Sequence, residues 1–556
     1  MTTNKKKCAG AQAGPAIRPV LPNNATPVMK NVAAVLARQV ESRCGAKVTT
    51  SGKAPLTAEL AIEPGIGAEG YTIADGKDGA VRIIGNDERG VMYGVGKFLR
   101  ESRYDKDGFT PGAWRGSSVP EKSLRGIYFA THFYNYYQTA PVDEIERYVE
   151  ELALWGVNTL TVWYDMHHFR GFNDPDAVKL RECLRRILQT ARRLGLSVGL
   201  LVIGNEAYAN SPLELRADPT AQRGGYYDEA VCPNKPGGLE YTLKILGELF
   251  DWARDLRPEY VCIWPYDQGS CGCEKCRPWG ANGFLRCAEH VAGLARRIFP
   301  GVKIILSSWL FDAKEWQAVK DTLANRPAWV DMILAEDANL IKSGLPAGFP
   351  VIGFPEISME GMWPWGGFGA NPQPARFAAA WEDMKNVLAG GLPYSEGIFE
   401  DINKVLWTQM YWNSARSVDD IIREYIAYEY VPDVTEEVLK IVHTLEQNHH
   451  FRWWPGELEG VKLTMNWFPS KGCRPQADPG AEEAYALAKR VDAALPERAR
   501  RAWRWRILFI RAMLDSELKS NDGKPNEACR AGFHELMKIC HTTDKSDPGV
   551  RPPIAS

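Results

Sequence analysis

Between residues 124 and 415 the chain repeats one pattern, a short apolar run followed by a helical stretch, and this repeat limits the possible folds more than any other feature. Eight runs recur, at 125–130, 159–164, 198–203, 260–265, 303–308, 331–335, 350–354 and 393–398. Helix-like stretches separate them, among them 142–155, 177–194, 239–256, 283–298 and 374–389. Short apolar runs alternating with helices fit parallel strands covered on both faces. Eight such units predict a (β/α)8 barrel of the α/β class, with its functional groups at the strand C-termini. A doubly wound open sheet is the competing topology.

The flanks read differently. Residues 1–120 combine an amphipathic helix over 26–43, strand-like runs at 47–50, 58–62, 71–73 and 80–84, and a second helix over 89–100. Gly, Pro and charged residues crowd 105–122, as a domain boundary requires. The expected organisation is therefore a small α/β domain over 1–120, a barrel over 121–416 and a helical region over 417–556. Amphipathic segments at 418–430, 435–447, 482–495 and 497–518 support the last of these. Trp453, Trp454 and Trp467 fall between its halves and read as packing residues, with an extension of a sugar site as the alternative.

If the runs are barrel strands, their ends project into one mouth, and those ends are rich in acids and aromatics. In order they are His132 and Tyr134; Tyr164 and Asp165; Asn205 and Glu206; Trp264, Tyr266 and Asp267; Trp309; Glu336 and Asp337; Glu356; and finally Tyr394, Glu396, Glu400 and Asp401. Cleaving a glycosidic bond takes one protonated and one ionised carboxyl group. Three acids stand out by context. Asp267 lies in IWPYDQGS, Glu356 precedes Trp363, Trp365 and a Gly-rich stretch, and Glu396 ends a short strand in LPYSEGIFEDINK. Each acid also has a structural account, as a partner for backbone N–H groups or for Arg and Lys.

Other chemistries fit less well. With 67 Lys plus Arg against 69 Asp plus Glu, the charge of -2 supplies no field for nucleic acid or an anionic membrane. No run of about 18 apolar residues spans a bilayer. The N-terminus is basic without an apolar core, the pattern of a cytoplasmic protein as the sequence stands, and export requires a different beginning. Ser-His-Asp order, P-loop and H-E-x-x-H are absent. The 19 Trp and 21 Tyr suit the C–H face of a sugar, although a large barrel also buries such rings. His167 and His168 read as rim residues beyond the second strand.

The 12 Cys are scattered except for Cys271, Cys273 and Cys276 in CGCEKC. This spacing suits structural zinc if a fourth ligand comes from elsewhere, with Cys232, Cys287 or His290 as candidates. Free thiols or a local disulfide are the alternatives. No cofactor is expected for catalysis itself.

The segment EGYTIADGKDGAVRIIGNDERGVMYGVGKFLRE, residues 69–101, resembles the domain that precedes the barrel in β-hexosaminidases of glycoside hydrolase family 20. The same domain precedes barrels in bacterial α-glucuronidases. The barrel opening SLRGIYFATHFYN is similar to the first strand of family 20, which implies a sugar-binding role for Arg125. Family 20 carries an Asp-Glu pair, the Asp orienting the acetamido group and the Glu protonating the leaving oxygen. Here Asp267-Gln268 stands instead, and a Gln cannot be that acid. The run DQGSCGCEKC looks like a loop of barrel glycosidases related to α-glucuronidases and endo-acting N-acetylglucosaminidases. The resemblance covers residues 55–415.

The expected activity is therefore glycoside hydrolysis on a carbohydrate substrate, with Asp267, Glu356 and Glu396 as catalytic acids. Arg125, His132, Tyr134, Tyr164, Asn205, Trp264, Tyr266, Trp309, Asp337, Trp363, Trp365 and Tyr394 are the expected sugar contacts. An exo-acting β-N-acetylhexosaminidase with a modified acid, or a carbohydrate-binding barrel without turnover, are the rival readings.

Overall fold

The computed structural model describes residues 15–49, 52, 54–105, 108–131, 135–219, 229–265, 271–335, 348–358, 369–448, 480–521 and 526–541. The chain divides into two compact units, Met1–Pro120 and Glu121–Ser556.

In the first unit, six strands form one sheet in the order β2-β1-β3-β5-β4-β8. They are β1 (Pro15–Val20), β2 (Lys47–Val48), β3 (Leu56–Ile62), β4 (Tyr71–Asp75), β5 (Val81–Gly85) and β8 (Gly116–Ser118), while β6 (Arg103–Asp105) and β7 (Gly108–Thr110) make a separate hairpin. Helices α1 (Pro27–Cys44) and α2 (Glu88–Arg100) complete the unit. Each starts on a side-chain cap: Thr26 accepts from the Met29 N–H, and Asp87 from that of Gly90.

The second unit is a closed barrel of eight parallel strands. These are β9 (Leu124–Phe129), β10 (Thr159–Trp163), β11 (Ser197–Ile203), β12 (Tyr260–Trp264), β13 (Lys303–Ser307), β14 (Met332–Ala335), β15 (Val351–Gly353) and β16 (Leu388–Gly391). Each pairs with the next, and β9 pairs with both β10 and β16, which closes the ring. Every residue of β9, β10 and β11 is buried, because one face fills the barrel and the other meets the helix layer. Inward positions recur every second residue: Tyr128 of β9 and Ala130 just past its end, Leu201 and Ile203 from β11, Cys262 and Trp264 from β12.

The eighth strand departs from the sequence reading. It occupies 388–391, part of which falls within the stretch expected to be helical, and the expected run survives only as β17 (Tyr394–Ser395), which pairs with β9 farther along. Apolar content misleads here, since the strand is built on glycine. Gly390 has φ +144°, and a Cβ there would lie 1.8 Å from the carbonyl oxygen of Leu124. Only glycine lets β16 approach β9 this closely.

Around the barrel run α3 (Tyr136–Thr139), α4 (Val142–Leu154), α5 (Pro175–Arg193), α6 (Gly238–Trp252), α7 (Leu285–Ile298), α8 (Ala313–Ala324), α9 (Pro374–Met384) and α10 (Asp401–Trp412). The C-terminal region is helical: α11 (Val418–Glu429), α12 (Thr435–Gln447), α13 (Gly480–Ala494), α14 (Glu497–Arg501), α15 (Trp503–Ser520) and α16 (Glu527–Ile539). One expected helix over 497–518 is in fact two, broken where Ala502 turns extended at φ -64°, ψ 138°. A buried arginine ties this region to the barrel. Arg504 of α15 donates to Asp401 of α10 at 2.7 Å and to Glu151 of α4 at 2.7 Å. Among the described residues no helix is long and apolar enough to cross a membrane. Trp453, Trp454 and Trp467 lie outside the described residues.

Candidate active site

Two carboxylates meet where β15 and β17 end. After Gly353 the ladder is interrupted by Phe354 and Pro355, and Glu356 then forms an isolated parallel bridge with Tyr394. Oε1 of Glu356 accepts the backbone N–H of Ser358 at 2.7 Å. The Ser358 hydroxyl donates to the carbonyl of Tyr394 at 3.0 Å and accepts the N–H of Glu396 at 3.0 Å. Ser358 thus fastens one acid-bearing loop to the other. Beneath them, Oε1 of Glu400 accepts from the N–H groups of Glu396 and Gly397 and from the Ser395 hydroxyl, at 2.7 to 2.8 Å. The Glu396 backbone N–H is therefore held by two side chains, Ser358 and Glu400.

Glu396 is buried, and Tyr394 donates to its Oε1 at 2.6 Å. Among the described residues its Oε2 has no hydrogen-bond partner. Burial pushes the carboxyl up to about 8, with the hydrogen bond from Tyr394 opposing and the charges of Glu356 and Glu400 reinforcing the shift. At neutral pH it is mostly a neutral acid with one oxygen to offer. Glu356 is half-buried.

Aromatic rings pave the barrel interior beside these acids. Phe354 is the hub: Trp264 lies 4.7 Å from it, Tyr128 and Trp309 5.7 Å and Tyr394 5.8 Å between ring centroids. Trp264 and Trp309 are themselves 5.4 Å apart. Three expected sugar contacts, Trp264, Trp309 and Tyr394, are thereby brought together. Tyr128 and Phe354 were not expected there, although the two-residue alternation that carries Leu124 and Ala130 inward also marks Tyr128.

A second polar cluster sits at the ends of β10 and β11. Asp165 pairs with Nδ1 of His167 through one oxygen and with Nε2 of His168 at 3.1 Å through the other. Glu206 accepts from the Trp163 indole at 3.0 Å and from the Met166 N–H, and lies 3.5 Å from Nδ1 of His167. Burial lowers the basicity of His167, but the charge of Asp165 and hydrogen bonds to both carboxylates outweigh it and raise its pKa to about 9. Burial acts to raise the Asp165 carboxyl, and the two imidazoles hold it well below the usual carboxylate range. Burial pushes Glu206 up. His167 is buried and not a rim residue, because this charge cluster draws it inward.

Two expected sugar contacts are corrected. Arg125 is the second residue of β9, at the end of the barrel opposite the mouth. Its guanidinium donates to the carbonyls of Gly156 and Lys122 at 2.9 Å and lies 5.0 Å from the centre of the Trp412 ring. Tyr164 faces the helix layer, its hydroxyl accepting from Arg181 of α5 at 3.1 Å and its ring stacked on Phe169. Strand alternation is the reason, since Trp163 takes the inward place. Asn205 is fully buried and anchors a loop, its side-chain amide donating to the Val231 carbonyl at 3.2 Å while its backbone carbonyl accepts from the Val231 N–H at 2.9 Å. Asp267, His132, Tyr134, Tyr266, Asp337, Trp363 and Trp365 lie outside the described residues, as does Glu336.

The sulfurs of Cys271, Cys273 and Cys276 gather with that of Cys232, all within 4.8 Å of one another. Of the candidate fourth members, Cys287 and His290 are not in this group; the His290 ring instead bonds the Arg286 carbonyl on its own helix at 2.8 Å.

No protein-family model and no curated protein matches this chain. Among solved structures, a family GH115 4-O-methyl-α-glucuronidase with specificity for decorated arabinogalactans superposes with a TM-score of 0.63 at 12% identity, over 97% of this chain and 78% of that one. A GH138 enzyme targeting pectin rhamnogalacturonan II gives 0.59 at 11% identity, over 94% and 88%. A GH89 protein from Clostridium perfringens, in complex with its substrate GlcNAc-α-1,4-galactose, gives 0.60 at 12% identity, over 92% of this chain and 64% of that one. At such identities the likeness is one of fold.

Proposed function

We propose that the chain is a glycoside hydrolase that cleaves an O-glycosyl bond of an oligosaccharide or glycan between Glu396 and Glu356. The observation that carries this reading is the unlike pair: a buried carboxyl kept neutral, with one oxygen unpartnered, next to a second and more accessible carboxylate. Environments that push two carboxyls apart in acidity are what acid and base roles require. In this reading Oε2 of Glu396 protonates the leaving oxygen. Glu356, held by the Ser358 N–H, acts at the anomeric carbon, directly or through a water. Trp264 and Trp309 offer ring faces to the sugar, and Asp267, outside the described residues, is the third catalytic candidate. The barrel likeness to enzymes acting on glucuronides, pectin and GlcNAc-α-1,4-galactose supports the substrate class.

A panel of chromogenic glycosides, including uronides and N-acetylhexosaminides, tests this. Glu356→Gln and Glu396→Gln should each lower turnover by roughly 100-fold to 10,000-fold in folded protein. Hydrolysis confined to N-acetylhexosaminides and unaffected by both changes would favour the modified hexosaminidase. Sugar binding with no release of product by the wild type would favour a binding barrel.

A further inference from the structure

We propose that Cys232, Cys271, Cys273 and Cys276 bind one structural zinc ion that clamps the loops leaving β11 and β12. The inference rests on the cysteine geometry alone and is independent of the proposed reaction.

The separations identify the ligand. Cys232 Sγ lies 3.7 Å from Cys276 Sγ and 3.8 Å from Cys273 Sγ. A disulfide would bring two sulfurs to about 2.05 Å. Four thiolates at about 2.3 Å from one zinc sit at the corners of a tetrahedron whose edge is about 3.8 Å. Two of the separations meet that edge, and every sulfur lies within 4.8 Å of the others. A cluster of two irons would spread its four thiolates more widely, so a single ion fits best.

The surroundings are those of a metal site. Cys232, Cys271 and Cys276 are buried, and backbone and amide N–H groups point at sulfur: Asp218 N–H to Cys271 at 3.3 Å and Asn234 Nδ2 to Cys276 at 3.2 Å. Such donors stabilise thiolates and orient the ligands. The N–H groups of Cys276 and Arg277 both turn back to the Cys273 carbonyl, at 3.0 and 3.2 Å, which brings the C-x2-C pair to one side. Between the C-x-C pair, a Cβ on Gly272 would lie 2.2 Å from the Pro219 carbonyl oxygen, so only glycine lets this loop close on residues 218 and 219. The Lys235 ammonium, bonded to Asp218 at 2.9 Å, stands beside a centre that would carry net charge -2. On binding, each cysteine releases its thiol proton to solvent and forms one Zn–S bond.

The consequence lies in what the ion joins. Cys232 adjoins Val231, which is bonded to Asn205 just past the end of β11. Cys271 lies seven positions after Trp264, the last residue of β12. Hydrogen bonds already join the two loops, the Gly272 N–H donating to the Asp218 carbonyl at 2.7 Å and Asn234 Nδ2 to the Lys275 carbonyl at 3.1 Å, and the metal would add a four-point link at the same place.

The full chain, purified under reducing conditions without added metal, should contain about one zinc per chain by elemental analysis. Mercurial titration of the thiols should release that zinc in a single phase. Cys232→Ser and Cys276→Ser should each lose nearly all of it, while Cys287→Ala keeps it. Should the serine variants fail to fold, refolding the wild type with Co(II) should give the visible bands of a tetrahedral tetrathiolate. Folded protein free of zinc, stoichiometric iron in its place, or a disulfide within the four cysteines by mass spectrometry would overturn the assignment.

Discussion

Tyr394 donates its phenolic hydrogen to Oε1 of Glu396 across 2.6 Å, and the two residues stand on the same short stretch of chain with one residue between them. The bond favours the ionised carboxylate, while burial and the charges of Glu356 and Glu400 disfavour it, and the balance leaves Glu396 titrating at about 8. If Glu396 is the proton donor, kcat/KM falls as pH rises through about 8. Tyr394→Phe removes the only one of these influences that lowers the pKa. The alkaline limb should therefore move to higher pH in that variant. A pH–rate profile of kcat/KM checks this, and a limb that stays fixed or moves down would show that the acid lies elsewhere.

The same burial has a cost in stability. Below about 4.5 the carboxyl is protonated in folded and unfolded chains alike. Between 4.5 and about 8 the unfolded chain ionises and the folded one does not, so stability falls as pH rises across that window. Glu396→Gln keeps the shape and removes the titration. The variant should be more stable than the wild type at pH 8 by roughly 2 to 4 kcal/mol, with the gap closing by pH 4.5. Denaturant unfolding at the two pH values measures it. A variant less stable at pH 8 would mean that the ionised form is what the fold uses.

The sequence was most informative where one residue type repeats at a fixed interval. The strand runs, the acid-rich strand ends and the C-x-C-x2-C cluster all depend on neighbours in the chain. What it hid depends on partners far away or on the absence of side chains. Ser358 reads as an ordinary loop serine until Glu356 and Glu396 are seen on either side of it. Cys232 is one of three candidates for the fourth sulfur, 39 positions before Cys271, and only the adjacency of β11 and β12 singles it out. The β16 strand is disguised by Gly390 and Gly391, where the close approach of β9 and of the Tyr411 hydroxyl excludes any Cβ. Arg125 misled for a related reason, since its place in the run was legible but the end of the barrel its side chain serves was not.

Arg504 is the buried charge on which the C-terminal helices meet the barrel. Asp401 accepts from it and also from the hydroxyls of Tyr148 and Tyr425, each at 2.7 Å. Removing one member leaves the opposite charge buried without its counterion, which typically costs 3–5 kcal/mol. Arg504→Met should therefore lower unfolding stability by about 3 to 5 kcal/mol. Adding Asp401→Asn to it should recover part of the loss, because one of the three carboxylates that face Arg504 is then gone while Glu151 and Glu429 stay. A double-mutant cycle in denaturant reads both effects. Strict additivity would show that the two side chains do not depend on each other.

The last prediction concerns His167. Its Nδ1 faces Asp165 and Glu206, its ring lies 4.1 Å from that of His168 and 6.0 Å from that of Trp163, and burial is outweighed by the carboxylates, so that it titrates at about 9 instead of 6.5. A raised pKa on a base means that the charged form is the one the fold favours. Its contribution to stability is therefore complete below 6.5 and is lost as pH rises from there through about 9. Asp165→Asn removes the largest source of the shift without removing the ring. In the wild type, the imidazole of His167 should titrate by NMR near 9, and in the variant well below that. The fall in unfolding stability between pH 6.5 and 9 should shrink in parallel, because less of it is then tied to this proton. An unchanged titration in Asp165→Asn would pass the role to Glu206, and a wild-type titration near 6.5 would remove the charged cluster altogether.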